Sequence, residues 1–327
     1  MRRPSAADRV DTDRAAAQFA ADVQYYLTQD PRQLPSRYLY DALGSALFEA
    51  ICRLPWYGIT RAERRLLVRH GEDVFRRAPK VSTIVELGSG SGEKLRALID
   101  AAGGEAGITS VHLVDVSSSA LGSASRALES LERVDVRTHQ ATYEAGLSEV
   151  AQQRQSTDRM LVLFLGSNIG NFDPPGASAF LCSMRGRLRA GDALLIGADL
   201  VKPDRQLQLA YDDPLGVTAA FNRNLLVRIN RELGGNFTID QFDHEAVWNA
   251  TSSRVEMHLV AREAQQVRID AAAVEFDMAA GERIWTESSY KYRPHEIVDM
   301  LETAGFRLVA QWIDRPDQFA LTLVEAA

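Results

Sequence analysis

The chain has 327 residues, 46% apolar and 25% charged, with a formal net charge of −7. This is the composition of an ordinary soluble globular protein of one or two domains. It holds no Lys/Arg cluster long enough to track a phosphate backbone, so no nucleic acid partner is expected; and no apolar stretch approaches the roughly 20 residues of a membrane span.

Residues 1 to about 10 are polar and read as loose, and Met1-Arg2-Arg3-Pro4 precedes no apolar run, so no signal peptide is expected. Asp11-Thr12-Asp13 could cap a helix to about Leu27, with Phe19, Val23, Tyr26 and Leu27 at helical spacing. An aromatic-rich connector, Leu34 to Asp41, leads to a short helix from Ser45 to Cys52. Thr60 with Glu63 reads as a capping box for a helix to about Phe75. From Val81 the pattern alternates: strand 81–87, helix 93–102, strand 110–115, a helix capped by Ser117 to Ser119, and strand 134–139. The apolar strand 160–165, helix 174–189 and strand 193–198 complete a parallel α/β sheet with crossovers. After Leu200 the pattern breaks. Tyr211-Asp212-Asp213 opens a helical stretch, Val217 to Leu233, closed by Gly234-Gly235. Residues 244–277 alternate like antiparallel strands, and helix 294–304 with strands near 306–312 and 319–324 closes the chain. Cys52 and Cys182 lie in apolar helix-like stretches and read as buried thiols of a reducing compartment. Neither has metal spacing to any of the six histidines, so no metal is expected; a cytoplasmic monomer is.

The organising stretch is Val85-Glu86-Leu87-Gly88-Ser89-Gly90-Ser91-Gly92-Glu93, a strand, a glycine turn and a helix start. In a doubly wound sheet, ligands bind at the carboxyl ends of strands, and helix-start amides face them. A P-loop is excluded, because the fifth residue after Gly88 is Glu93 and after Gly90 is Leu95. The dinucleotide fingerprint needs a small residue where Glu93 stands. An acid, any residue, then Gly-x-Gly-x-Gly is similar to motif I of class I S-adenosylmethionine-dependent methyltransferases. A second acid, Asp115, ends the next strand, where a carboxylate can accept both ribose hydroxyls of a nucleoside. A ligand-free glycine turn explains the turn but not the two acids at that spacing.

No nucleophile–base constellation is present, and methyl transfer from a sulfonium needs none; it needs in-line approach of a neutral nucleophile. Asn171 follows Gly166 and Gly170 in the loop after the fourth strand, where its amide could hold a carboxylate or an amine, or simply make a turn. Tyr211 beside two acids, and Tyr40 and Tyr57 around the short helix, are packing tyrosines if taken one at a time. Glu287 and Ser289, two apart, share a face if extended; a carboxylate beside a hydroxyl suits a two-nitrogen heterocycle, and a solvated edge strand is the plainer reading. His244, His258 and His295 read as structural.

Several longer strings go further: Leu39 to Phe48, Arg61-Ala62-Glu63, Glu86 to Lys94, Phe164 to Asn171, Ala210 to Asp213, Thr218 to Asn224, Arg254 to Met257 and Thr286 to Pro294. From about residue 30 onward the chain resembles the histidine-specific S-adenosylmethionine-dependent methyltransferase family. The resemblance implies an α/β fold: a class I (Rossmann-like) methyltransferase sheet, residues 61–200 and 288–327, with an inserted α+β substrate-binding domain, residues 10–60 and 201–287. It implies three methyl transfers from S-adenosyl-L-methionine to the α-amine of L-histidine, giving hercynine, a step of ergothioneine biosynthesis, with S-adenosyl-L-homocysteine as product. Carried over by motif, Asn171 and Tyr211 hold the substrate's α-amine and carboxylate, Tyr57 and Gly166 line the same site, and Tyr40 stands near the amine. Tyr40 and Asn171 are thus the catalytic candidates. Glu287 and Ser289 read the imidazole, and Met257 and Phe221 form pocket wall. Glu86, Gly88, Ser89, Gly90, Lys94, Asp115, Thr142 and Tyr143 meet the cofactor.

Three positions depart from the family. Thr142-Tyr143 replaces the usual Asp-Phe at the adenine, Trp56-Tyr57-Gly58-Ile59 replaces Glu-Tyr-Tyr-Pro, and Ser288-Ser289-Tyr290 differs at its first and third residues. The rival readings are a relative acting on another amine such as a tryptophan derivative, a cofactor-binding module without turnover, and a nicotinamide oxidoreductase. An indole has one donor and no acceptor, which Glu287 with Ser289 does not suit; Asn171 and Tyr211 argue against a module, and Glu93 against the oxidoreductase.

Overall fold

In the computed structural model, which describes residues 6–103 and 107–327 and side chains from residue 15, the elements follow one another as α1 (Ala6–Leu27), α2 (Ala42–Cys52), α3 (Ile59–Arg77), β1 (Thr83–Leu87), α4 (Glu93–Ala101), β2 (Ser110–Asp115), α5 (Ser118–Leu128), β3 (Asp135–Gln140), α6 (Tyr143–Gln153), β4 (Met160–Phe164), α7 (Pro174–Arg185) and β5 (Ala193–Asp199). Then come α8 (Asp204–Tyr211), α9 (Val217–Leu233), β6 (Phe242–Asn249), β7 (Arg254–Ala261), β8 (Gln265–Ile269), β9 (Val274–Met278), β10 (Arg283–Tyr290), α10 (Pro294–Thr303), β11 (Phe306–Asp314) and β12 (Phe319–Ala326). The chain divides into two units: residues 1–56, 204–250 and 254–288 form one, and 57–203, 251–253 and 289–327 the other.

The second unit holds a seven-stranded sheet ordered β11-β12-β5-β4-β1-β2-β3. β1 pairs parallel with β2 and β4, and β5 with β4, whereas β12 runs antiparallel to β5 and to β11. β1, β4 and β5 are buried along their whole lengths, which is why they read as unbroken apolar runs. Leu87, Asp115, Phe164 and Asp199 end their strands at one edge of this sheet, and the loops that follow gather there. Local chemistry starts the flanking helices on time. Ser117 caps α5, Thr142 caps α6, and Asp173, followed by prolines, caps α7. The α/β alternation from 81 to 198 and the closing antiparallel pair are as the sequence predicts, within a few residues at the ends. In the first unit β10, β7 and β6 form a three-stranded sheet, and β8 pairs with β9.

Several expectations are corrected. The helix expected from the Asp11-Thr12-Asp13 cap begins earlier, at Ala6; the cap side chains, and Met1 to Pro4, fall outside the described residues. The second helix starts at Ala42 rather than Ser45, because the Asp41 carboxylate accepts the Gly44 amide at 2.8 Å. Thr60 and Glu63 form no capping box: the N-cap is Gly58, and Glu63 is turned inward and fully buried. Tyr211 does not open the long helix but ends α8, whose Leu207, Ala210 and Tyr211 make one buried stripe. Asp213 serves the next helix instead, accepting the Thr218 amide at 2.7 Å. Cys182 is exposed, and Cys52 only half-buried, because apolar neighbours in α7 and α2 share their helices but not their faces.

His112 and His139, on neighbouring strands, are both buried, with His112 Nδ1 2.9 Å from His139 Nε2. Burial, then the His139 charge, pushes the His112 ring down to about 4. The unfolded chain takes up this proton below pH 6.5 and the native one only near 4, so the ring stabilises the fold above pH 6.5 and less as pH falls through that window. Denaturant titration should show a loss on the order of 2 kcal/mol from this group between pH 7 and 4.5, which a His112→Leu variant lacks.

Candidate functional site

The loop after β1 takes positive φ at Gly88, Gly90 and Gly92. At Gly88 this is required twice over: φ is 81°, and a Cβ would stand 2.8 Å from Asn168 Nδ2 and 3.2 Å from Tyr143 Oη. A Cβ at Gly90 would meet nothing within 4 Å, so there the turn faces open space. Asp115 accepts the Ser117 amide at 2.9 Å and the Gly90 amide at 3.4 Å. Burial raises its carboxyl, and these backbone amides oppose the shift. Thr142 is exposed and its hydroxyl takes the Ala145 amide at 3.4 Å; the Tyr143 ring packs edge-on to Phe164, with centroids 5.3 Å apart, and burial raises its phenol.

Two buried atoms here have no protein partner: Glu86 Oε2 near the end of β1 and Ser89 Oγ in the loop that follows. Orphaned polar atoms at the carboxyl edge of a parallel sheet are what a polar ligand would satisfy. The Glu86 carboxyl is pushed up to about 8, first by burial, with Lys94 pulling it down and Glu63 and Asp115 pushing it up. It is therefore mostly protonated at pH 7. The donor set (two carboxyls, loop amides, a hydroxyl and an ammonium) fits a cationic nucleoside such as S-adenosylmethionine. A cationic ligand beside Glu86 favours the carboxylate, so binding should release a proton at pH 7 and tighten as pH rises toward 8. Calorimetry in two buffers of different ionisation enthalpy measures that proton directly.

Glu63 is the residue that sequence reasoning missed. Its two oxygens accept the Gly166 amide at 2.8 and 2.9 Å, and Oε2 lies 2.6 Å from Lys94 Nζ. Thus α3 grips both the loop after β1 and the loop after β4. A Cβ at Gly197, on β5, would overlap Glu63 Oε1, so that glycine makes room for the carboxylate. The local Thr-x-x-Glu spacing, which suits a cap, hid this role.

The loop after β4 turns sharply, with φ of 78° at Gly166 and 60° at Ser167. Such a backbone is unfavourable for serine, and the Ser167 hydroxyl offsets it by accepting the Asp199 amide at 2.9 Å. A short 3-10 turn, Asn168–Asn171, follows and leaves Asn171 exposed at its end. Tyr57 is buried just before α3, and the Gly58 departure has a local cause: a Cβ there would overlap Asp317, whose carboxylate meets Arg65 at 2.6 Å.

In the first unit the structure brings Tyr40 and Phe221 together. Their rings meet edge-on with centroids 5.5 Å apart, and Phe48 joins both. Asp41 anchors this cluster to α9, accepting Asn224 Nδ2 at 2.7 Å and pairing with Arg231 at 2.7 Å. Tyr211 is buried, and its carbonyl lies 2.7 Å from His244 Nε2. Met257 is buried on β7, and its carbonyl accepts the Thr286 hydroxyl. Glu287 and Ser289 lie on β10, so the two-residue spacing does put them on one face of a strand. Among the described residues, no helix is long and apolar enough to cross a membrane.

Comparison with known proteins bears on what this constellation is. The profile of a family described as histidine-specific methyltransferase, SAM-dependent, matches residues 19–326. A histidine N-alpha-methyltransferase from Mycolicibacterium smegmatis is 41% identical over 320 residues, 98% of either chain. One from Mycobacterium tuberculosis is 39% identical over 322 residues, 98% of this chain and 99% of that one. An L-tryptophan methyltransferase from Psilocybe serbica is 26% identical over 324 residues, 90% of this chain and 88% of that one. A match that runs the length of both units, glycine loop and inserted segment alike, places the chain in the histidine-specific, S-adenosylmethionine-dependent methyltransferase family.

Proposed function

We propose that this chain trimethylates the α-amine of L-histidine, giving hercynine, a step of ergothioneine biosynthesis. The observation that carries the reading is the 41% identity, across 98% of both chains, to a histidine N-alpha-methyltransferase. When bound, S-adenosylmethionine supplies an electrophilic methyl group on a sulfonium. Glu86, Gly88, Ser89, Gly90, Lys94, Asp115, Thr142 and Tyr143 are the residues we assign to holding it; residues 61–200 and 288–327 are the part that binds it, and residues 10–60 and 201–287 the part that binds the substrate.

For the amino acid, Asn171 and Tyr211 bind and orient the α-amine and carboxylate, with Tyr57 and Gly166 lining that site. Tyr40 lies by the amine, where methyl groups accumulate. The amine attacks as the neutral base, and each round leaves one N–H fewer to donate. An aromatic wall such as the one Tyr40 forms with Phe221 tolerates that loss better than a set of fixed acceptors would. Met257 adds apolar wall. Glu287 and Ser289 read the ring: a site built to hydrogen-bond a ring rejects side chains that leave its polar groups unpaired.

The test is to incubate the purified protein with S-adenosylmethionine and a panel of free amino acids and to weigh the products. Three methyl groups on histidine alone is the expected result. A Glu287→Gln variant should raise KM for histidine about tenfold. The second reading, an enzyme for another amine, rests on the 26% identity to an L-tryptophan methyltransferase. Methylated tryptophan with untouched histidine would establish it and sink the assignment of Glu287 and Ser289.

A further inference from the structure

Tyr211 ends α8, where carbonyls no longer find amides of their own helix. The amide four residues on, that of Leu215, donates to the Asp213 carboxylate at 3.0 Å. A side chain of β6 meets the Tyr211 carbonyl: His244 Nε2 lies 2.7 Å from it. The other ring nitrogen, Nδ1, lies 3.0 Å from Asn222 Nδ2 on α9. That amide nitrogen also donates to the His258 carbonyl of β7 at 3.1 Å. Asn222 is fully buried, so its amide is held between these two contacts.

These contacts fix which atoms carry protons. A carbonyl only accepts, so the nitrogen of the Asn222 amide, not its oxygen, faces His258. Turned over, the amide would set oxygen against oxygen. An amide nitrogen only donates, so His244 Nδ1 must accept. The Tyr211 carbonyl accepts too, so His244 Nε2 must carry the hydrogen. Only the neutral Nε2–H ring satisfies all three contacts at once. Burial acts the same way: it holds the ring below the ordinary histidine value, with Arg223 adding to the shift and the Tyr211 carbonyl, Asp212 and Asp213 opposing it. The arrangement has a cost, because Asn222 Oδ1 is buried with no partner. We propose that His244 is a positioning residue: as the Nε2–H tautomer it pins the Tyr211 carbonyl to β6 and so sets where the end of α8 presents Tyr211 to the amino acid. This rests on the reading above in which Tyr211 helps to hold the α-amine and carboxylate of histidine. His244 acts through the Tyr211 backbone, so losing its bond loosens the hold on the amino acid and leaves the cofactor's untouched.

The experiment uses the full-length protein with its histidine rings ¹⁵N-labelled, observed by NMR at pH 7, the His244 signals being those lost in His244→Gln. Nε2 should be pyrrole-type and Nδ1 pyridine-type. The reverse pattern, or two pyrrole-type nitrogens, would overturn the proposal. Kinetics tests the positioning. A glutamine amide reaches the place of Nε2 and can donate to the same carbonyl, whereas an asparagine amide reaches only that of Nδ1. His244→Asn should therefore raise KM for histidine about tenfold with kcat within about threefold, and His244→Gln should keep KM within about threefold of the native value. Equal KM values in the two variants would reduce the ring to packing. Affinity for S-adenosylhomocysteine, measured without histidine, should stay within about twofold in both; a parallel tenfold loss would mean a structural role only. Tyr211→Phe separates this inference from the reading it rests on. An unchanged KM there would sink the substrate role of Tyr211, and this inference with it; a raised KM there beside an unchanged one in His244→Asn would sink this inference alone. Should His244→Asn not fold, the native spectrum and His244→Gln decide, and a tenfold higher KM in the glutamine variant would overturn the proposal.

Discussion

An Asp192→Ala variant is expected to lose about 3–5 kcal/mol of stability while its folded fraction binds S-adenosylmethionine as before. Asp192 is 1% exposed and pairs at 2.6 Å with Arg154, itself 2% exposed. It also accepts the Met160 amide at 3.0 Å and the Arg189 amide at 2.7 Å, fixing where β4 and β5 begin. Truncation leaves a buried guanidinium and two amides facing nothing. The fall in the denaturant midpoint measures the cost. Because Asp192 sits where these strands start and the loops of the site follow where they end, calorimetric cofactor affinity at low temperature should be unchanged within about twofold. A tenfold loss would show that the two ends of the sheet are not independent.

Glu63→Ala is expected to cost a similar amount, about 3 kcal/mol, with the opposite functional signature. Glu63 is wholly buried and holds the Gly166 amide through both oxygens and Lys94 through one. Without it, the loop after β4 loses the clamp on its strained turn, and Lys94 loses the partner that aims it. Cofactor affinity should fall about tenfold or more, beyond what the stability loss explains. Glu63→Gln keeps one acceptor for the amide and should recover most of the stability but less of the affinity. Equal cofactor affinity in wild type and Glu63→Ala would reduce Glu63 to a packing residue.

Much of this architecture was readable beforehand. Val81 to Leu87, a glycine turn and an amphipathic run can hardly be anything but the first βα unit, and the apolar run from Met160 to Leu165 has the signature of a strand buried on both faces. What local patterns could not reveal are contacts made across long sequence separations. Thr60 and Glu63 had the spacing of a cap, yet Glu63 bonds to residue 166. Nothing in the sequence around Lys291 announces Asp199, whose carboxylate lies 3.1 Å from its buried ammonium. Tyr211 ends a short helix whose eight residues gave little periodicity to read. Cys182 shows the complementary error: apolar surroundings in sequence say nothing of which side of a helix a residue occupies.

The antiparallel strand β12 has a consequence for how the chain is made. β5 is buried along all seven of its residues, and its outer edge is paired by Phe319–Glu325, about 120 positions later. While a ribosome is still translating the intervening segment, β1, β2, β4 and β5 can already be assembled, with that apolar edge open to any other strand. A message truncated before Phe319 would leave the edge permanently unpaired. Such a product should accumulate in inclusion bodies or be degraded, even though every residue proposed to bind cofactor or substrate is present in it.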